Sequence, residues 1–417
     1  MRQGGVRGGL MYNLLEGLRV IEATSFVASP SAGLYLAQMG AEVIRVDQIG
    51  GGPDFRRWPK ADNGSSFYWE GLNRAKKSIT VDYRSDEGRS LVQRLATAPG
   101  KDRGILLTNF PVKGFLSHDA LKELRDDVII ARVMGQANGG PAFDYTVNCA
   151  VGYPMITGPE SLGDQPVNHV LPAWDLLAGA YAAFAIVAAE RHRRETSAGR
   201  EIQIPLEDLG IGTIANLGQV AEMLIGGEER PRYGNDVYGV FGRDFVTADD
   251  KRIMVIAISP RQWRGLIDVL AIGDEITAIE KERDVSFAKD EGVRFEHRDA
   301  LNPLIESKVA SRKFSELTEA FDAAGACWGA YQSMKDAAND PTLVGNNPMF
   351  STIENPSGHR YPSPGAIASV SGLDRGLPQA APELGAHSRD VLEEVLSCSS
   401  SEIDAYIANG VVGTADE

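Results

Sequence analysis

Cysteine is scarce in this sequence of 417 residues: three (Cys149, Cys327 and Cys398), widely separated and without a CxxC pair. That excludes a disulfide framework and a structural zinc site, and it fits a reducing, cytoplasmic setting. Long apolar runs are also missing. The longest candidate, 176–189, has about 14 residues and suits a buried helix better than a membrane span. Positive charge is in deficit, with 42 Lys and Arg against 57 Asp and Glu, a net charge of −15. A surface that acidic repels phosphate backbones and anionic lipid heads, so neither nucleic acid nor membrane is expected as a partner. The histidines (His118, His169, His192, His297, His359 and His387) are dispersed, which gives a metal cluster no support. Neither GxGxxG nor GxxxxGK[ST] follows the first strand, where the chain reads Phe26-Val27-Ala28-Ser29-Pro30, and a GxSxG elbow is lacking.

What is present reads as a globular chain. Hydrophobic residues make up 43% and charged residues 24%, which excludes disorder, and the length calls for two or three lobes. Short β-prone runs at 19–24, 42–47, 78–82, 105–108 and 128–133 alternate with helical stretches at 30–39, 85–97 and 117–125. That alternation predicts a parallel sheet covered by helices. Runs at 241–247 and 252–258 flank Ala248-Asp249-Asp250 as a hairpin, with amphipathic helices after it. The expected organisation is a flexible extension over 1–13, a large α/β lobe over 14–225 and a small α+β lobe over 226–345. Residues 346–417 complete it: an aperiodic crossing segment to about 378, then two helices returning to the large lobe. Ser399 and Glu402 form a capping box for the last helix.

Asp175 opens the apolar helix that follows Pro172-Ala173-Trp174. As a cap it would satisfy orphan amides and favour the positive end of the helix dipole. As a nucleophile it would be kept ionised at neutral pH by that same end, with N–H groups nearby for a developing oxyanion. Spacing alone leaves both readings open. Basic residues gather in the first lobe (Arg45, Arg56, Arg57, Arg74, Lys76, Lys77, Arg84 and Lys113) and suggest a phosphate-bearing ligand at the strand ends.

The sequence resembles the family III CoA-transferases from Leu15 onward. The resemblance rests on LEGLRVIE from Leu15, LAQMGAEVIRVD ending at Asp47, NRAKKSI from Asn73, and Asn109-Phe110. It continues through Trp174-Asp175 with Gly179, GREIQI from Gly199 and PELGAHS from Pro382. Within the family, Asp144 to Asn148, Val167 to Asp175, Tyr238 to Phe245 and Asn347 to Phe350 are most similar to the branch that moves CoA between the C1 and C4 carboxyls of mesaconate.

The resemblance implies a Rossmann-like large lobe with a smaller α+β lobe, in an interlocked homodimer. It implies an acyl-CoA substrate, with coenzyme A as part of that substrate and no permanently bound cofactor. Asp175 would be the catalytic nucleophile. CoA contacts would come from Val27, Ala28, Arg45, Val81, Asp82, Tyr83, Arg84, Asn109, Phe110, Lys113 and Gln136. Arg56, Arg57, His169 and Arg243 are candidates for the substrate's free carboxylate. Three departures stand out: Gln48 and His118 fall where the family places phosphate-binding arginines, and 143–147 lacks the histidine of the family's racemases. The alternatives are an intermolecular CoA-transferase on another small (di)carboxylate, an α-methylacyl-CoA racemase and a non-catalytic CoA-binding protein.

Overall fold

A computed structural model describes residues 11–415. The chain divides into two compact units. The first takes the chain up to Val151, His169–Ile225 and the chain from Pro341; the second takes Gly152–Asn168 and Gly226–Asp340. The excursion over Gly152–Asn168 was not separable in the sequence, because it is a short segment inside an otherwise regular α/β series. Of the expected flexible extension, residues 1–10 lie outside the described residues. Met11 and Tyr12 are buried, and the Tyr12 hydroxyl donates to the Ala368 carbonyl at 2.8 Å.

The first unit is built on β1 (Arg19–Ala23), β2 (Glu42–Asp47), β3 (Lys77–Val81), β4 (Ile105–Thr108), β5 (Ile129–Met134) and β6 (Glu201–Pro205). They lie parallel in the order β3-β2-β1-β4-β5-β6, and Val412–Gly413 pairs antiparallel with β3 at the edge. This is a Rossmann-like α/β sheet. Its central strands are buried on both faces because helices cover both sides. The order reverses between β1 and β4, which opens a crevice at their carboxyl ends, the usual ligand position in such sheets.

The helices follow from local chemistry. Ahead of β5 come α1 (Ala28–Gln38), α2 (Phe67–Leu72), α3 (Asp86–Ala96) and α4 (His118–Lys122). Ser66, Ser85 and Ser117 cap α2, α3 and α4 by accepting backbone N–H groups, whereas α1 has no side-chain cap. The aliphatic face of α3 (Leu91, Val92, Leu95) joins Ile44, Ile79, Leu106 and Ile130 from the sheet in one core. The C-terminal helices Ser388–Leu396 and Ser400–Ala408 close it. In the last helix the Ser399–Glu402 box forms as expected.

After β5 come α5 (Asp144–Ala150), α6 (Tyr153–Ile156, in the second unit) and α7 (Ala173–Thr196). Helix α7 crosses α1 closely: a Cβ on Gly179 would lie 2.1 Å from Ser31 Oγ and 2.6 Å from the Ala28 carbonyl oxygen. The sequence reads α7 as buried all round, but only one face is. Ala178, Ala182, Ala185 and Ile186 are buried, while Leu177, Tyr181, Phe184 and Val187 lie exposed.

Residues 346–378 are not aperiodic throughout. Phe350–Glu354 and Arg360–Pro364 form an antiparallel hairpin, fixed to α2 through the buried carboxylate of Glu70, which accepts from Ser357 N at 2.5 Å and the Tyr361 hydroxyl at 2.8 Å. Pro362 and Pro364 hide the strand signal, as proline does in peripheral strands. In the second unit the expected hairpin is present as β7 (Phe241–Val246) and β8 (Arg252–Ala257), joined by β9 (Cys327–Ala330). Its core is formed by Trp263, Phe241, Phe287 and Phe321.

Candidate active site

The loops of the sheet's switch point are tied to each other. Asn109 Nδ2 donates to the Ser25 carbonyl at 3.1 Å, and Thr108 Oγ1 to the Ala23 carbonyl at 2.9 Å. Phe26 holds a left-handed φ of 70°, a strained position for a non-glycine residue, and its N–H donates to Asp54 Oδ2 at 3.1 Å. Val27 and Ala28 follow directly at the start of α1.

Asp175 comes to this crevice from α7. It sits one turn before Gly179, on the same helix face, and that face meets the beginning of α1. It is not the cap of its own helix. Asp144, buried at the start of α5, takes that role: its Oδ2 accepts the backbone N–H of Trp174 at 2.7 Å and of Asp175 at 3.1 Å. Asp144 Oδ1 lies 2.6 Å from His169 Nε2. The Asp175 carboxylate accepts no hydrogen bond from the described residues. Burial raises its pKa to about 6, Asp144 adds to the rise, and Arg57 opposes it. The helix terminus therefore does not depress this carboxyl as the sequence suggested, because desolvation and a second carboxylate outweigh the dipole. At neutral pH it is still mostly ionised.

Arg57 and Tyr68 complete the surroundings. The Arg57 guanidinium lies 5.3 Å from the Phe26 ring and 5.4 Å from the Tyr68 ring, and it makes no ion pair among the described residues. The Tyr68 hydroxyl is buried without a hydrogen-bond partner among them, and burial pushes its phenol well above the ordinary range. Neither Asp144 nor Tyr68 was singled out from the sequence. Asp144 carried the one visible signal, an acid at the start of a helix.

The expected CoA contacts Val27, Ala28, Asp82, Tyr83, Arg84, Asn109, Phe110, Lys113 and Gln136 follow the carboxyl ends of β1, β3, β4 and β5. Tyr83, Phe110 and Phe115 pack as an aromatic cluster, with Tyr83 and Phe110 edge to face at 5.4 Å. The loop after β4 is clamped by the fully buried Arg132, which donates to the carbonyls of Phe110, Pro111 and Leu116 at 2.7 to 2.9 Å.

Two expected contacts are corrected. Arg45 is 0% exposed and held by Asp47 and Asp54 at 2.8 and 3.0 Å, so its charge is spent inside the protein. Val81 points into the sheet core and offers no side chain to a ligand. The basic cluster shrinks further, since Lys76 pairs with Glu22 at 2.8 Å and Arg74 is buried. Of the carboxylate candidates, His169 is engaged by Asp144. Arg56 lines a cavity of about 470 Å³ with Lys60, Trp69 and Glu70, and Arg243 pairs with Asp236 in the second unit. No group of three or more metal-ligating side chains occurs among the described residues.

The sequence pattern described as CoA-transferase family III matches residues 15–388. This chain belongs to that family. It is 41% identical over 408 residues to 2-methylfumaryl-CoA isomerase of Chloroflexus aurantiacus, covering 97% of this chain and 99% of the relative. It is 27% identical to human succinyl-CoA:glutarate CoA-transferase, over 95% of this chain and 90% of that one. Among solved structures, a CaiB/BaiF family protein from Brucella suis superimposes with a TM-score of 0.72 at 27% identity, covering 91% of this chain and 99% of that one. The chain is thus a family III CoA-transferase.

Proposed function

We propose that this enzyme isomerises 2-methylfumaryl-CoA (mesaconyl-CoA) by moving CoA from the C1 to the C4 carboxyl of the same mesaconate, with Asp175 as nucleophile. The observation that carries this reading is the half-buried Asp175 carboxylate, without a hydrogen bond from the described residues, at the switch-point crevice. The near full-length likeness to 2-methylfumaryl-CoA isomerase supports the substrate.

In this chemistry Asp175 attacks the thioester carbonyl at C1, giving a mixed anhydride and CoA thiolate. The thiolate attacks the Asp175 acyl carbon, leaving an aspartyl-CoA thioester and releasing mesaconate. The C4 carboxylate of the retained mesaconate then attacks that thioester. A second anhydride forms, and the thiolate attacks its C4 carbonyl and frees Asp175. Each acyl bond is exchanged for another and no net proton moves, so the protein must supply a nucleophile, oxyanion donors and a dry site. The uncapped first N–H groups of α1 are suited to the oxyanion. Arg57, a cation beside Asp175 without an ion-pair partner among the described residues, is suited to the free carboxylate, with the Tyr68 hydroxyl as a second donor. For the CoA phosphates, Arg84 and Lys113 are the exposed cations at the strand ends.

Incubation with mesaconyl-C1-CoA and labelled free mesaconate tests the reading. The C4 isomer should form without label. Labelled product would instead establish intermolecular transfer, the activity named for the human relative. We further propose a homodimer, supported by the exposed apolar face of α7 and by Leu217, Leu224 and Ile225 nearby in the chain. Light scattering should give twice the chain mass of 44.9 kDa.

A further inference from the structure

The proposed chemistry needs an ionised, fixed carboxylate, yet the structure places a second, buried carboxylate directly behind it. Asp144 has a clear geometric task. Both amides it accepts belong to the first turn of α7, which is not capped by its own residues. An oxygen acceptor there is needed to satisfy orphan donors. A neutral side chain would do that without placing another negative charge beside the nucleophile. The other oxygen of Asp144 explains the choice. It lies 2.6 Å from His169 Nε2, a length typical of charge-assisted hydrogen bonds. The Tyr145 ring stands edge-on to the imidazole at 5.6 Å, and its hydroxyl donates to the Val170 carbonyl at 3.2 Å, which fixes the loop carrying His169. Trp174 Nε1 donates to Asn148 Oδ1 at 3.3 Å, so α5 grips both sides of the turn.

We propose that Asp144 and His169 act as a pair of positioning residues for Asp175: Asp144 holds the backbone of the turn that carries the nucleophile, and the hydrogen bond from His169 steadies the second carboxylate there. The pair makes no contact with the reacting atoms. It deepens the reading of Asp175 as nucleophile and rests on it.

The charged and titratable groups facing Asp175 are Asp144 from α5, Arg57 from the segment after β2 and Tyr68 from α2, with His169 acting through Asp144. The signs follow. Asp144 pushes Asp175 toward its neutral form, and the His169 hydrogen bond to Asp144 draws off part of that push. Removing the acid should lower the Asp175 midpoint, and removing the histidine alone should raise it.

The test is a pH titration of the Asp175 carboxyl by carbon NMR in full-length protein labelled at aspartate Cγ, the signal being assigned by its loss in Asp175→Asn. Asp144→Asn keeps an oxygen for the two amides, so the turn stays in place. Its midpoint should fall by about one pH unit, and that of His169→Gln should rise by a similar amount. In the double variant the midpoint should match Asp144→Asn, because His169 acts on Asp175 through Asp144. A residue with a merely structural role would lower activity without moving the midpoint. A midpoint unmoved in Asp144→Asn, or one that does not rise in His169→Gln, overturns the proposal. The nucleophile reading fails separately, through an Asp175→Asn enzyme that still turns over mesaconyl-C1-CoA.

Discussion

Gly179 and Ala28 define how closely the helix carrying Asp175 meets the start of α1: a Cβ on Gly179 would stand 2.6 Å from the Ala28 carbonyl oxygen. Backbone cannot yield as a flexible side chain can, so α7 must move outward if the glycine is replaced. Gly179→Ala should therefore cost about 1–3 kcal/mol of stability. Displacing Asp175 by even a fraction of an ångström from the α1 amides should lower kcat on the order of 100-fold. Denaturant melts and steady-state kinetics on the same preparation check both. An active Gly179→Val enzyme would show that the approach is irrelevant to catalysis.

The pH dependence follows from the Asp175 carboxyl. Its value of about 6 means that kcat/KM should rise with pH up to about 6 and level off above it, since the nucleophile must be ionised. A profile still flat down to pH 4.5 would contradict this.

Stability should run the other way. A carboxyl held near 6 against an ordinary 3.8 binds its proton more tightly in the folded state, so the fold loses stability as pH rises from 3.8 through 6. The loss is about 3 kcal/mol in full, as an upper bound. Asp175→Asn should accordingly melt several degrees above the wild type at pH 8, with the gain shrinking toward zero near pH 4. Calorimetry at the two pH values decides the matter.

Arg57 is expected to hold the free carboxylate of the substrate. Arg57→Gln should raise KM for mesaconyl-C1-CoA about 10- to 100-fold, the worth of a charged hydrogen bond, while the Kd for CoA stays unchanged. Because Arg57 also opposes the rise of the Asp175 pKa, the acid limb of the variant should move to higher pH. An equal loss of CoA affinity would place Arg57 elsewhere in the binding path.

Much of this was legible in the sequence, and the failures have physical reasons. The parallel strands were readable because each is a short apolar run between helical stretches, and β2 and β4 fall on the predicted residues. Asp175 was legible as an acid opening an apolar helix. Arg45 was misread as a ligand contact, although its neighbour carried the warning. Asp47, two residues on, shares its face of the strand, and Glu22 sits opposite it across β1. A charge inside a parallel sheet buried on both faces must be paired within the protein. Asp144 and His169 were not legible as a pair, since their meeting depends on tertiary folding across 25 residues. The hairpin at Phe350–Glu354 was masked by proline in its partner strand.

The most direct measurement is to let the enzyme turn over mesaconyl-C1-CoA in the presence of hydroxylamine and map the modified peptide by mass spectrometry. The account predicts a hydroxamate on Asp175, formed only when acyl-CoA is present and absent from Asp175→Asn. Turnover with an unmodified Asp175, or a hydroxamate on another carboxyl, would contradict it.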